Sequence, residues 1–201
     1  MASVIVAGDS SGAITISAPS AAGSGVLTLP LGTDTLVGKA TTDTLTNKSI
    51  AATQLTGTIA ASALPAGSVI QVVQGTYSTS TTNSTTTYAD TGLTATITPT
   101  RNTSKILVMV VHGENGKTGT TNGFRSQLLR GASVITPISE DSGYAAVATT
   151  FFNLSGTYLD SPATTSSTTY KTQFKCTAAA STVTVQYSSI PSTITLMEIA
   201  G

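Results

Sequence analysis

Lys105-Ile-Leu-Val-Met-Val-Val-His112 is the stretch on which the fold turns. From Ile106 to Val111 no polar residue interrupts the run, so neither face of an extended segment is marked as wet. A strand apolar on both faces belongs in the middle of a sheet, and this one is expected to be central and covered on each side. It is the longest uninterrupted aliphatic run in the chain and is far short of the roughly 20 residues a spanning helix needs, so no membrane insertion is expected.

Outward from this strand, similar runs recur with turn signals between them. Ser68–Thr76 and Leu93–Thr98 precede it; Phe124–Arg130, Ala132–Ile138, Ala146–Leu159, Thr169–Thr177, Thr182–Ser188 and Thr193–Ala200 follow. Nine short strands at this spacing predict an antiparallel β-sandwich, jelly-roll-like, over residues 67–201. Thr182-Val-Thr-Val-Gln-Tyr187 alternates cleanly, so one of its faces should meet solvent or a polar interface. Ser78–Thr87, Gly113–Gly123 and Pro162–Thr168, rich in Ser, Thr and Gly, are expected as loops.

Before residue 67 the apolar residues come in short bursts. Ser3–Ala7 and Ala13–Ser17 flank Gly8-Asp-Ser-Ser-Gly12 and predict a β-hairpin. Gly25–Pro30 is a further short strand, and Asp-Thr-Leu occurs at both Asp34 and Asp43, a hint of a repeat. No segment here carries enough apolar surface for a core of its own, so order in residues 1–66 is expected to depend on identical neighbours.

Composition agrees with an all-β chain. Charged residues make up 9% of the 201 positions, against roughly a quarter in ordinary soluble domains. Nine basic and nine acidic residues cancel; nucleic acid, which demands clustered Lys and Arg, is not an expected partner. Cys176 is the one cysteine, so no intrachain disulfide framework exists, which fits a reducing cytosol. Met1–Gly8 lacks a basic n-region and is not expected to be a secretory signal.

Chemistry-bearing motifs are sparse. Gly8-Asp9-Ser10-Ser11-Gly12 has the spelling of a nucleophile elbow, but its flanks are strand and strand, and the sole histidine, His112, lies in the other half. Gly116-Lys117-Thr118 resembles the tail of a phosphate loop whose first glycine would fall at Val111, so a mobile surface loop is expected instead. His112 and Cys176 could form a thiol–imidazole pair, yet no orienting third residue is suggested; a core cysteine and a loop-edge histidine are expected. Glu140-Asp141 reads as a solvated turn, and the sequons at Asn83 and Asn153 are expected by chance in a Thr/Ser-rich chain. No metal motif occurs. The expectation is therefore of no enzyme, no catalytic residues, no cofactor and no metal, with receptor-binding residues unassigned.

Thr42-Asp-Thr-Leu-Thr-Asn-Lys-Ser-Ile50 is similar to a segment found in many phage tail-fibre proteins. Gly67–Val73, Ile97–Thr100 with Ser104–Val108, Phe124-Arg125 with Leu128–Gly131, Tyr158–Pro162 and the ending Ser192–Gly201 resemble successive blocks of a C-terminal domain of marine and cyanobacterial phage fibres. The resemblance covers about residues 42–201 and implies an intertwined homotrimer on the virion surface, made in the bacterial host cytoplasm. Residues 1–40 would attach to other virion proteins, 41–66 would form a trimeric stalk, and 67–201 would be the tip that meets a host glycan or protein. Tail attachment is the first expectation, and a head fibre or capsid decoration protein of the same build is the second. A glycan depolymerase is a remote third, since it needs paired carboxylates at a groove and the acids here are scattered.

Overall fold

The computed structural model describes residues 3–7, 13–17, 49–51, 53 and 56–201. The expected turn at residues 8–12, the strand at 25–30, the Asp-Thr-Leu repeat, most of the 1–40 attachment region and residues 41–48, 52, 54 and 55 of the 41–66 stalk lie outside the described residues. Two units are separated at residues 56 and 57. In the first, β1 (Ser3–Ala7) and β2 (Ala13–Ser17) pair antiparallel from Ser3–Ser17 to Ala7–Ala13, the strands of the expected hairpin.

The second unit, Gly57–Gly201, opens on a single 3-10 turn at Ala61–Ala63 and then carries ten strands. These are β3 (Val69–Tyr77), β4 (Thr81–Asn83), β5 (Ala89–Ile97), β6 (Lys105–Thr118), β7 (Phe124–Arg130), β8 (Ser133–Ser142), β9 (Thr149–Asp160), β10 (Thr168–Cys176), β11 (Val183–Val185) and β12 (Ser192–Ile199). One sheet runs β5-β10-β7-β8; the other runs β3-β12-β6-β9, extended by β11 and β4. Setting aside the short β4 and β11 and numbering the eight long strands one to eight, the sheets read 2-7-4-5 and 1-8-3-6. That is the strand order of a jelly roll, two Greek keys folded together.

Period-two alternation builds the core. On β10, Tyr170, Thr172, Phe174 and Cys176 point inward while Lys171, Gln173 and Lys175 point outward. One cluster joins Leu93, Ile97, Ile106, Val108, Tyr170, Ile194 and Leu196; a second joins Phe124, Phe174, Cys176, Val183 and Val185. In the second, Phe124 meets Phe152 edge-on at 5.5 Å. Val183 and Val185 are buried and Thr184 between them is not, as the alternation of that strand predicts.

β6 departs from expectation in two ways. It continues to Thr118, so residues 113–118 are strand and not the start of a loop. The glycines mark close approaches: a Cβ on Gly113 would stand 2.5 Å from the Pro191 carbonyl oxygen. Beside β9 its register shifts between His112 and Asn115; on its other side it exchanges β12, paired up to Val111, for β11, paired from Gly116. It is central, as expected, but covered on one face only. Ile106, Val108 and Val110 are buried, whereas Val111 on the opposite face is 50% exposed. The Glu140-Asp141 pair, expected in a turn, ends β8 instead, where Arg125 lies 3.5 and 3.6 Å from the two carboxylates.

Candidate interaction surface

The two outer faces of the sandwich differ in chemistry. On the four-stranded sheet the outward residues tie one another: Thr96 and Thr169 hydroxyls lie 2.8 Å apart, Lys171 and Gln173 donate to Asp90 at 2.9 and 2.8 Å, and Gln127 donates to Gln173 at 2.9 Å. Burial tends to raise the Asp90 carboxyl, but the bonds from Lys171 and Gln173 outweigh it and hold its pKa below the ordinary value. This face suits water.

On the six-stranded sheet, strand registers align Val72, Met197, Leu107 and Leu159 into one outward row across β3, β12, β6 and β9. Val69 and Ile199 flank it on one side and Met109 and Val111 on the other. Val69, Val72, Val111 and Leu159 are each about half-exposed. Lys105 is the single charged residue among the outward positions of these four strands around the row. The chain reaches the sandwich at this end: Gly67 N–H donates to the Ala200 carbonyl at 2.7 Å, and Ala200 N–H donates to Ser68 O at 2.8 Å.

The far end of the same face, about 30 Å along β6 from Leu107 at the rise of an extended strand, holds an aromatic cleft. Phe151 of β9 and Tyr187, just after β11, set their rings 4.6 Å apart at 51°. Gly116 lies beneath them; a Cβ there would come within 3.2 Å of the Phe151 ring. With threonines from β6, β9 and the β11 segment they line an open cleft of about 230 Å³. Tyr187 begins a short 3-10 turn reached through Gln186 in the left-handed region at φ 52°. The sequence presented Phe151 and Tyr187 only as strand residues; their meeting depends on β9 and β11 both lying beside β6.

The motif residues are spent on structure. Lys117 is buried, and its Nζ donates to the carbonyls of Gly119, Ala145 and Val147 at 2.8, 2.8 and 2.9 Å. It staples residues 143–148 and holds no phosphate loop. Cys176 is a core cysteine, as expected; its Sγ donates to the carbonyls of Asn83 and Ser181, and burial raises its pKa. His112 is not at a loop edge. It is wholly buried within β6, neither ring nitrogen has a hydrogen-bond partner among the described residues, and no bond joins it to Cys176. Burial alone lowers its pKa from 6.5 to about 4. The elbow-like residues 8–12 lie outside the described residues.

Two buried acids complete the inventory. Asp160 accepts two bonds from Arg130 Nη1, at 3.0 and 2.8 Å, and one from the Tyr170 hydroxyl at 2.6 Å; burial and then this bond raise the Tyr170 pKa. Glu198 accepts from Gln71 and from the Thr100 amide and hydroxyl, at 2.6, 2.7 and 2.9 Å. Its burial would raise the pKa, but these bonds together keep it low. Among the described residues no three His, Cys, Asp or Glu side chains gather as a metal site, and no helix is long and apolar enough to cross a membrane.

No protein-family model matches this chain, and no curated protein matches it by sequence. Among solved structures it is similar to one of infectious bursal disease virus, Gx strain, at TM-score 0.32 and 12% identity over 65% of this chain and 37% of that one. It is similar also to dimeric latent PorU from Porphyromonas gingivalis, at TM-score 0.31 and 14% identity over 68% of this chain and 14% of that one. The chain thus spans well under half the length of either, and a likeness this distant carries no argument about function.

Proposed function

We propose that this chain is a structural subunit of a virion appendage, a homotrimeric phage fibre or spike that attaches to the tail and mediates adsorption to the host surface. The observation that carries the reading is the uncovered row Val72–Met197–Leu107–Leu159 on one sheet face, opposite a face tied up in polar contacts. An apolar row rimmed by Gln74, Thr195 and Thr157 has the composition of an interface core with its polar edge. The occupant is a second copy of the same chain. The surface is nearly uncharged, so it selects no partner of opposite charge, and identical faces meeting about an axis bring no opposed charges beyond Lys105. The face also lies beside Gly67 and Ser68, where the chain enters the sandwich.

The phage assignment rests on the resemblance of residues 42–201 to fibre proteins. A non-catalytic role is supported by the acids: Asp160 and Glu198 are buried and engaged, and Glu140 and Asp141 face Arg125. Light scattering on the purified full chain tests the assembly, and a species at three times 20.2 kDa is expected. A monomer at dilute concentration overturns it. Immunogold labelling of virions then tests the attachment site: gold on the tail is expected, and gold on the capsid replaces the tail fibre with a head fibre or decoration protein.

A further inference from the structure

We propose that the Phe151–Tyr187 cleft binds a neutral saccharide, with one sugar ring stacked on the exposed Phe151 face and its hydroxyls met by threonines. The inference rests on the adsorption reading above and gives that reading a ligand class.

Phe151 on β9 is 47% exposed and Tyr187, in the turn after β11, is 40% exposed; their rings lie side by side and threonines line the cleft around them. A pyranose ring has a carbon–hydrogen face that packs on an aromatic ring and an equatorial belt of hydroxyls that needs donors and acceptors. The cleft offers both in those positions. Thr118, Thr149, Thr182 and Thr184 stand around the rings, and Thr184 Oγ1 is further fixed by Thr82 Oγ1 at 3.2 Å.

Charge decides for a neutral ligand. Lys117 is the one charged residue lining the cleft, and its ammonium is turned away into three backbone carbonyls. Size decides for a single ring. The volume of about 230 Å³ is below the 300–1,000 Å³ typical of drug-sized sites and matches the scale of one ring. Gly116 keeps the floor open, since any side chain would press on Phe151. The cleft also lies at the end of β6 away from Gly67 and Ala200, where the chain enters the sandwich.

Saturation-transfer NMR on the full-length protein tests the site, with the methyl glycosides of glucose, galactose, mannose and N-acetylglucosamine as probes. At least one glycoside is expected to receive saturation and to titrate with a millimolar Kd. Phe151→Leu keeps an apolar cover over Gly116 but removes the ring, and is expected to weaken binding about tenfold. Gly116→Val, which keeps both rings and displaces one, is expected to weaken it as well. If no glycoside receives saturation, or if Phe151→Leu binds like the parent chain, the proposal is wrong. Native mass on the same samples separates the two readings. A trimer that binds no sugar removes only the cleft, and a monomer removes the assembly whatever it binds.

Discussion

His112 couples the core to pH. Folded, its pKa is about 4; unfolded, it returns to 6.5. Between those values the unfolded chain binds more protons than the folded one, so stability falls as pH falls from 6.5 toward 4. The full effect is about 3 kcal/mol, one pKa unit being about 1.4 kcal/mol. Glu198 and Asp90, whose pKa values are held low, lose their contributions only as pH drops below their unfolded values of 4.5 and 3.8. The interval from pH 6.5 to 4.5 therefore reports mainly on His112. Thermal midpoints across it should slope in the parent chain and flatten in His112→Gln. A second residue-scale test concerns Lys117. Lys117→Met leaves three carbonyls without their donor, and urea unfolding should show a loss of about 3 kcal/mol, with faster amide exchange in residues 143–148. Neither role was legible in the sequence, because a histidine beside glycines and a Gly-Lys-Thr run both carry the local signature of a loop.

At the scale of elements, glycine is where sequence and structure diverge. In Gly113–Gly123 a local reading takes glycine as a break. In the sandwich, Gly113 and Gly116 are strand residues that let Pro191 and Phe151 come close. Gly75 in the middle of β3 acts similarly: a Cβ there would stand 2.0 Å from the Thr94 carbonyl oxygen of β5 in the facing sheet. Gly75→Ala must push the sheets apart at that crossing. Its urea midpoint should drop by the equivalent of about 2 kcal/mol, while an alanine at Gly131, which has open space but a φ of +59°, tests strain without crowding. Thr168–Cys176 and Val69–Tyr77 were expected to within a residue, and Thr168–Cys176 alternates cleanly because one buried face imposes a period of two on the side chains.

For the molecule as a whole, the test is whether the apolar sheet face is covered by other copies of the chain in the assembly. Leu107 points outward and does not belong to the buried core, so Leu107→Asp should leave the β-sheet circular dichroism unchanged and convert the assembly to monomer in light scattering. A variant that stays assembled shows that copies meet elsewhere. The sequence by itself determined the all-β class, the central place of Ile106–Val111 and the burial of Cys176. Those follow from local alternation, from composition and from the need to hide a long aliphatic run. Only the tertiary structure decided that β6 has one covered face and one bare one, that His112 is interior, and that Phe151 and Tyr187 form a cleft. The reason is that strands far apart in the chain are neighbours in the sheet. Which outward residues line up across β3, β12, β6 and β9 is set by register, and no stretch of sequence contains that alignment.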